Sequence, residues 1–324
     1  MTCYYDTFSI QRSVKQLKSE YKNINFILSL GGDKDTMQPE KYLQLLKIHK
    51  IVSKYKFDGF DLAYQLPKYY ENQTSVAEEN ARNNYPLKMT QLIITLKSIL
   101  AKDNKLLSLT VLPNINVKSF YDVPAIIDNI DFITLAAFDY STPKQTHNMA
   151  NYLAPLYAPG HCNSITNVNY TLNQWRMSQR KLPFSKFNLG IPTFAHSWNT
   201  TKPLKKPHMP ITKQLNGPAP GGYNTHTPGL LAWPEMCKKL SKLTRVTKKL
   251  FGSFAYRPGI TKKEQGLLIT YDDLDNIEEK VKYTKSNKLH GIALFDITLD
   301  DFRGKCRGER YVMLNAIKKL IKLN

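Results

Sequence analysis

The sequence predicts an α/β chain, a (β/α)8 barrel of parallel strands interrupted by one small α+β insertion before its last strand. Three observations carry this. Short apolar runs alternate with helical stretches, the pattern of repeated βα units around a parallel sheet. Those runs are apolar on both faces, as strands covered on both sides must be. The 324 residues, 42% apolar, are long for one ordinary domain but fit a single barrel carrying an insertion.

The expected strands are Asn25–Leu30, Phe57–Leu62, Leu106–Leu112, Asp131–Ala137, Phe187–Ile191 and Gly291–Asp296. Helices are expected at Gln11–Tyr21, Pro39–Lys54, Tyr85–Lys102, Val123–Asn129, Asn167–Gln179, Ile277–Ser286 and Arg310–Leu323. The Pro39 helix places Leu43, Leu46, Ile48, Ile51 and Val52 on one stripe at helical spacing. From about Phe194 to Tyr271 the alternation stops. A Pro- and Gly-rich run, Asn216 to Gly222, precedes β-like runs at Gly252–Tyr256 and Leu267–Tyr271. The barrel is therefore assigned to 1–193 and 272–324, and the insertion to 194–271. No internal repeat of 20–50 residues is found.

Lys and Arg number 46 against 26 acids, a net charge of +20. Between Lys202 and Lys263 stand 11 Lys and 2 Arg (Arg245, Arg257) against one acid, Glu235. Such a cluster can attract a polyanion, with sulfated glycan as the candidate and no nucleic acid partner assigned, or it can simply solubilise a surface. No apolar run reaches 18 residues, so no membrane span is expected. The first residues, Met1 to Asp6, lack the layout of a signal peptide. Either a leader has been removed or the protein stays inside the cell. Cys3, Cys162, Cys237 and Cys306 have neither zinc-site nor C-x-x-C spacing, which favours one or two disulfides. Sequons at Asn72, Asn169 and Asn199 would be glycosylated only on a secretory route. With the cysteines they favour an extracellular protein. His161, His196, His208, His226 and His290 are scattered, so no metal and no cofactor is assigned.

The stretch Phe57-Asp58-Gly59-Phe60-Asp61-Leu62-Ala63-Tyr64-Gln65 is the most informative. Asp58 and Asp61 would stand at the carboxyl end of a barrel strand, where this architecture builds active sites. Taken alone, Asp58 could equally cap a turn and Asp61 accept buried hydrogen bonds. Ser29-Leu30-Gly31-Gly32, Asp58-Gly59-Phe60-Asp61, Phe138-Asp139-Tyr140 and Gly190-Ile191-Pro192 then appear in order at strand ends. This set resembles glycoside hydrolase family 18, the chitinases. Ser29–Asp35, Phe57–Pro67, Asp122–Ile127, Pro228–Cys237 and Asp300–Cys306 narrow the resemblance to the insect imaginal disc growth factors, secreted chitinase-like proteins. The likeness covers nearly the whole chain.

The resemblance implies a degenerate site. Family enzymes cleave β-1,4 links between N-acetylglucosamine units: a Glu protonates the leaving oxygen while the substrate's acetamide attacks, steadied by an Asp two residues earlier. Those two positions read Gln65 and Ala63 here. A glutamine amide has no proton to give, and general acid catalysis is typically worth about 10²–10⁴ in rate. The expectation is an inactive protein. Phe295 stands where the enzymes carry a Trp floor, and Phe138 replaces a Tyr, while Asp139 remains. Tyr64, Phe138, Asp139, Tyr140 and Phe295 are the sugar-binding candidates, for a chitooligosaccharide, set against simple packing.

The family also implies a second strand between the Cys-Tyr-Tyr strand and Ser-x-Gly-Gly. Only 25 residues separate Cys3 from Ser29, room for one helix. Counting Cys3–Asp6, seven strands result. The second is missing, exposing strand edges and leaving Cys3 without its family partner. Cys237 and Cys306 match the family's other disulfide, and Cys162 has no counterpart. The resulting expectation is a secreted, inactive chitinase-like factor that signals through an unknown cell-surface receptor or binds glycan. Two alternatives remain: a polyanion binder using the basic insertion, and an active chitinase using Glu71, Glu78 or Glu79 from a loop.

Overall fold

A computed structural model of the chain describes residues 7–32, 48–63, 76–113, 115–159, 165–200, 204, 210, 215–257, 266–306 and 308–322. In chain order, α1 (Thr7–Glu20) leads to β1 (Ile27–Gly31), α2 (Ile48–Lys54) to β2 (Gly59–Ala63) and α3 (Val76–Leu100) to β3 (Leu106–Val111). Two one-turn helices, α4 (Val117–Phe120) and α5 (Val123–Ile126), precede β4 (Phe132–Leu135), and α6 (Val168–Ser178) precedes β5 (Phe187–Pro192). Then come β6 (Phe194–Thr200), β7 (Leu215–Pro218), β8 (Leu230–Ala232), α7 (Trp233–Leu240), β9 (Thr244–Lys248), β10 (Gly252–Tyr256) and β11 (Gly266–Tyr271). The elements α8 (Leu274–Ser286), β12 (Gly291–Phe295) and α9 (Val312–Lys322) follow. The βα alternation and the interrupting antiparallel segment are both present. The chain forms two compact units, Met1–Thr134 with Gln174–Phe187, and Leu135–Asn173 with Asn188–Asn324.

In the first unit β1, β2 and β3 pair in parallel, with Asp61 in register with Ser29 on one side and Ser108 on the other. Phe60, Leu62, Leu107, Leu109 and Val111 are at most 2% exposed, which is why these runs read as apolar throughout. Strand β1 differs. Ile27, Leu28 and Leu30 are only half-buried, and among the described residues β1 has a single strand neighbour, β2. One helix, α1, precedes it, as the short spacing requires. Cys3–Asp6 lie outside the described residues.

Helix α3 corrects the sequence expectation. It begins at Val76 rather than Tyr85, so Glu78 and Glu79 belong to a helix, not a loop, and Pro86 lies inside it. An interior proline removes a backbone hydrogen bond and crowds the preceding turn. Here Tyr85, Met89, Leu92, Ile93, Leu96 and Leu100 form one face at helical spacing, each at most 2% exposed, and that burial outweighs the cost.

In the second unit β5 and β12 pair in parallel. An antiparallel sheet runs β7-β6-β11-β10-β9, with β8 added on β6. Only β10 and β11 were legible in the sequence. Strand β6 buries polar His196, Ser197 and Thr200, and β9 is an edge strand whose Arg245 and Lys248 are exposed, so neither shows an apolar run. The sheet is packed on both faces. Ile269 of β11 and Ala255 of β10 join Trp233, Met236, Ile277, Val281, Met313 and Ile317. The alternate residues Leu268, Phe254 and Tyr256 join Tyr152 and Trp198, as the two-residue period of a strand dictates. Helix α8 starts on a reciprocal cap, Asp273 accepting from the Asn276 N–H and Asn276 from the Asp273 N–H, each at 3.1 Å. Below it Lys280 and Asp272 form a buried ion pair. Cys237 and Cys306 are disulfide-bonded with Cα atoms 5.9 Å apart, the pairing the resemblance implies.

Candidate functional site

The two carboxylates of the signature, Asp58 just before β2 and Asp61 within it, are held by the fold. Asp58 accepts the Lys18 ammonium from α1 at 2.5 Å and the Phe26 N–H at 2.9 Å. Burial pushes its carboxyl up, but Lys18 and the Phe26 amide outweigh that and hold it below the ordinary aspartate value. Asp61 accepts three hydroxyls: Ser29 at 2.8 Å, Ser108 at 2.6 Å and Thr110 at 3.0 and 3.1 Å. The strand register places Ser29 and Ser108 directly opposite Asp61, with Thr110 two residues further along β3. Ala63 ends the strand opposite Gly31. The two glycines of the Ser-x-Gly-Gly segment have φ of +121° and +125°, and the Gly32 N–H donates to the Ala63 carbonyl at 3.0 Å. A Cβ on Gly32 would meet nothing within 4 Å, so its backbone conformation, not space, calls for glycine. Tyr64, Gln65, Glu71 and Asn72 lie outside the described residues.

The remaining candidates lie in the second unit. Phe138 is 8% exposed; its ring centroid is 4.9 Å from Phe295 and 5.8 Å, edge-on, from Phe194. Gly190 permits this, since a Cβ there would stand 3.1 Å from the Phe138 ring and 2.5 Å from the Leu135 carbonyl. Asp139 has φ of +58°, a conformation Asp tolerates better than most residues. Its side chain is 37% exposed and accepts His196 Nε2 at 2.8 Å. Tyr140 is buried, its hydroxyl 2.8 Å from that of Thr171, and burial pushes the phenol well above its ordinary value. Thr193 donates through N–H and hydroxyl to the Phe295 carbonyl, at 2.8 and 3.1 Å, fixing the end of β12. His196 was not singled out as a partner of Asp139. It lies 57 residues later in the chain, and no local spacing signals the pair.

Of the sequons, Asn199 donates its Nδ2, the atom a glycan would occupy, to the Pro218 carbonyl at 3.3 Å. Asn169 accepts the Tyr283 hydroxyl at 3.0 Å. Among the described residues no group of three His, Cys, Asp or Glu is placed to hold a metal. No described helix is long and apolar enough to cross a membrane.

A barrel-type parallel sheet with this signature on β2 and an antiparallel insertion is a glycosidase architecture. The family model for glycosyl hydrolases family 18 matches residues 4–300, and the chain belongs to that family. Within it the chain sits with the chitinase-like proteins. Chitinase-like protein Idgf4 of Glossina morsitans morsitans is 36% identical over 354 residues, covering 95% of this chain and 79% of the relative. That alignment is longer than this chain, so the relative carries residues inside the matched region that have no counterpart here. Two solved structures share the fold. Ostrinia furnacalis Group IV chitinase superposes with a TM-score of 0.82 at 21% identity, over 98% of this chain and 85% of its own. Human YKL-39, a pseudo-chitinase with retained chitooligosaccharide binding properties, gives 0.80 at 22% identity, over 98% and 86%.

Proposed function

We propose that this family 18 chitinase-like protein is a catalytically inactive, secreted growth or glycan-binding factor. One observation carries the reading: Ala63, at the end of β2, and Gln65 occupy the positions of the assisting carboxylate and the acid. Neither residue can ionise. Asp58 and Asp61, the signature's other two carboxylates, are engaged as acceptors of fold hydrogen bonds. Glu78 and Glu79 stand in α3, not in the loop from which the active-chitinase alternative would draw a substitute acid. Secretion is supported by the disulfide, which persists in oxidising compartments, and by the likeness to imaginal disc growth factor relatives.

Chitooligosaccharide binding is the molecular activity we assign to the candidate residues of the second unit, by analogy with the pseudo-chitinase neighbour. Asp139 and Phe295, the partly exposed members of the candidate set, would touch sugar, while the buried Phe138 packs against Phe295. The test is hydrolysis of a chitooligosaccharide by the native chain beside Ala63→Asp/Gln65→Glu. The native chain is expected to be silent, and gain in the double variant would show that the protein still takes the substrate. Native turnover that survives Gln65→Ala and co-purifies with the protein would overturn the assignment.

A further inference from the structure

The disulfide gathers a second set of chemistry-bearing residues. Lys238 follows Cys237 and Lys305 precedes Cys306, and the bond brings both ammonium groups to one tyrosine. Lys238 Nζ lies 5.3 Å and Lys305 Nζ 5.7 Å from the centroid of the Tyr223 ring, inside the range of cation–π attraction. Tyr223 is 48% exposed, and its loop is firmly held. The Glu235 carboxylate accepts the N–H groups of Asn224, Thr225 and Ala232 at 2.5, 3.1 and 2.8 Å. Beside the ring is an open cavity of about 320 Å³, lined also by Pro234, Phe302 and Arg303. Phe302 is 40% exposed, with the Arg303 guanidinium 5.1 Å from its centroid.

The electrostatics are one-sided. The carboxylate lining the cavity, Asp301, is buried, and its oxygens accept the backbone N–H groups of Lys305 and Cys306 at 2.8 and 2.6 Å. Lys238, Arg303 and Lys305 are exposed and have no ion-pair partner among the described residues. Two half-exposed aromatic rings, Tyr223 and Phe302, and two cations, Arg303 and Lys305, thus line one concavity of ligand size, with Lys238 at its rim beside the Tyr223 ring. Aromatic faces suit the apolar C–H face of a sugar ring, and Lys and Arg suit sulfate oxygens.

We propose that this cavity is a subsite for a sulfated saccharide, stacked on Tyr223 and Phe302 with its sulfate esters on Lys238, Arg303 and Lys305. A saccharide is favoured over nucleic acid because the disulfide that assembles the site belongs to oxidising surroundings, where glycans are the abundant polyanions. The site shares no residue with the signature on β2, so it goes beyond the proposed function and each can fail alone.

The experiment titrates the full chain with a sulfated hexasaccharide, its desulfated counterpart and a single-stranded DNA oligonucleotide, by calorimetry at low and at physiological salt. The sulfated sugar is expected to bind, more weakly as salt rises, and the desulfated sugar is not. Tyr223→Ala should weaken binding roughly tenfold, and Lys238→Gln/Lys305→Gln by at least as much. Lys242→Gln/Lys248→Gln/Lys249→Gln, which removes exposed charges outside the cavity, should stay within about twofold. Arg303→Gln, on an exposed side chain, keeps the test valid if Tyr223→Ala does not fold. The proposal is overturned if the native chain binds no sulfated sugar, if DNA binds equally well, or if the outer lysine triplet matters while Tyr223 and Arg303 do not.

Discussion

At the residue scale, the clearest lesson concerns Asp58 and Asp61. Their presence in the signature suggested chemistry, and the structure gives each a set of hydrogen bonds that the fold uses. Asp58 joins α1, the entry to β1 and β2 through Lys18 and Phe26. Its carboxyl is held below the unfolded value, so it adds stability above the unfolded pKa, and that stability is lost as pH falls through the lower folded value. Asp58→Asn should therefore lower stability by about 1–2 kcal/mol near neutral pH and converge with the native chain in strong acid. Denaturant melts at several pH values check this. The buried pair Lys280–Asp272 makes a contrasting case. Burial pushes the Asp272 carboxyl up and the Lys280 ammonium down, each opposed by the other's charge. Lys280→Met leaves Asp272 alone in the interior and should cost about 3–5 kcal/mol, whereas Lys280→Met with Asp272→Leu should recover most of it. A double-mutant cycle on thermal melts reads the difference.

At the scale of elements, the disulfide ties α7 to the segment before α9 across 69 residues of sequence. In the chain-entropy picture a loop of that length is worth about 4 kcal/mol, so Cys237→Ser/Cys306→Ser should lower the melting temperature markedly by calorimetry. What could be read beforehand follows the same physics. Strands covered on both faces, such as β3 with Leu107, Leu109 and Val111, are visible as apolar runs. Strand β6 was not, because Ser197 and Thr200 are buried with the apolar residues around them. Strand β9 was hidden by its charges, and the start of α3 by a proline that a buried stripe tolerates. Of the site, Ala63 and Gln65 stand out in the sequence only through the family motif laid over them. The Asp139–His196 pair and the Tyr223 cluster were not legible, since only the folded chain brings their members together.

At the scale of the whole molecule, the cover over β1 is incomplete among the described residues. Ile27, Leu28 and Leu30 are half-buried where Phe60, Leu62, Leu107, Leu109 and Val111 are sealed. Inserting a family second βα unit between α1 and β1 should cover them and raise the melting temperature by several degrees; on the order of 1 kcal/mol moves a chain of this size about 2–4 °C or less. No change in the calorimetric transition would mean that β1 is already covered.

The hydrogen bonds at Asp58 and Asp61 also bear on how such a chain drifts. Mutation at either position is opposed by the need to fold, whether or not the protein ever meets chitin. Ala63, two positions beyond Asp61 in the same strand, has no side-chain hydrogen bond for the fold to use. A signature carboxylate can thus be kept by architecture alone, and a pattern search that stops at Asp-Gly-x-Asp reads the fold rather than the chemistry.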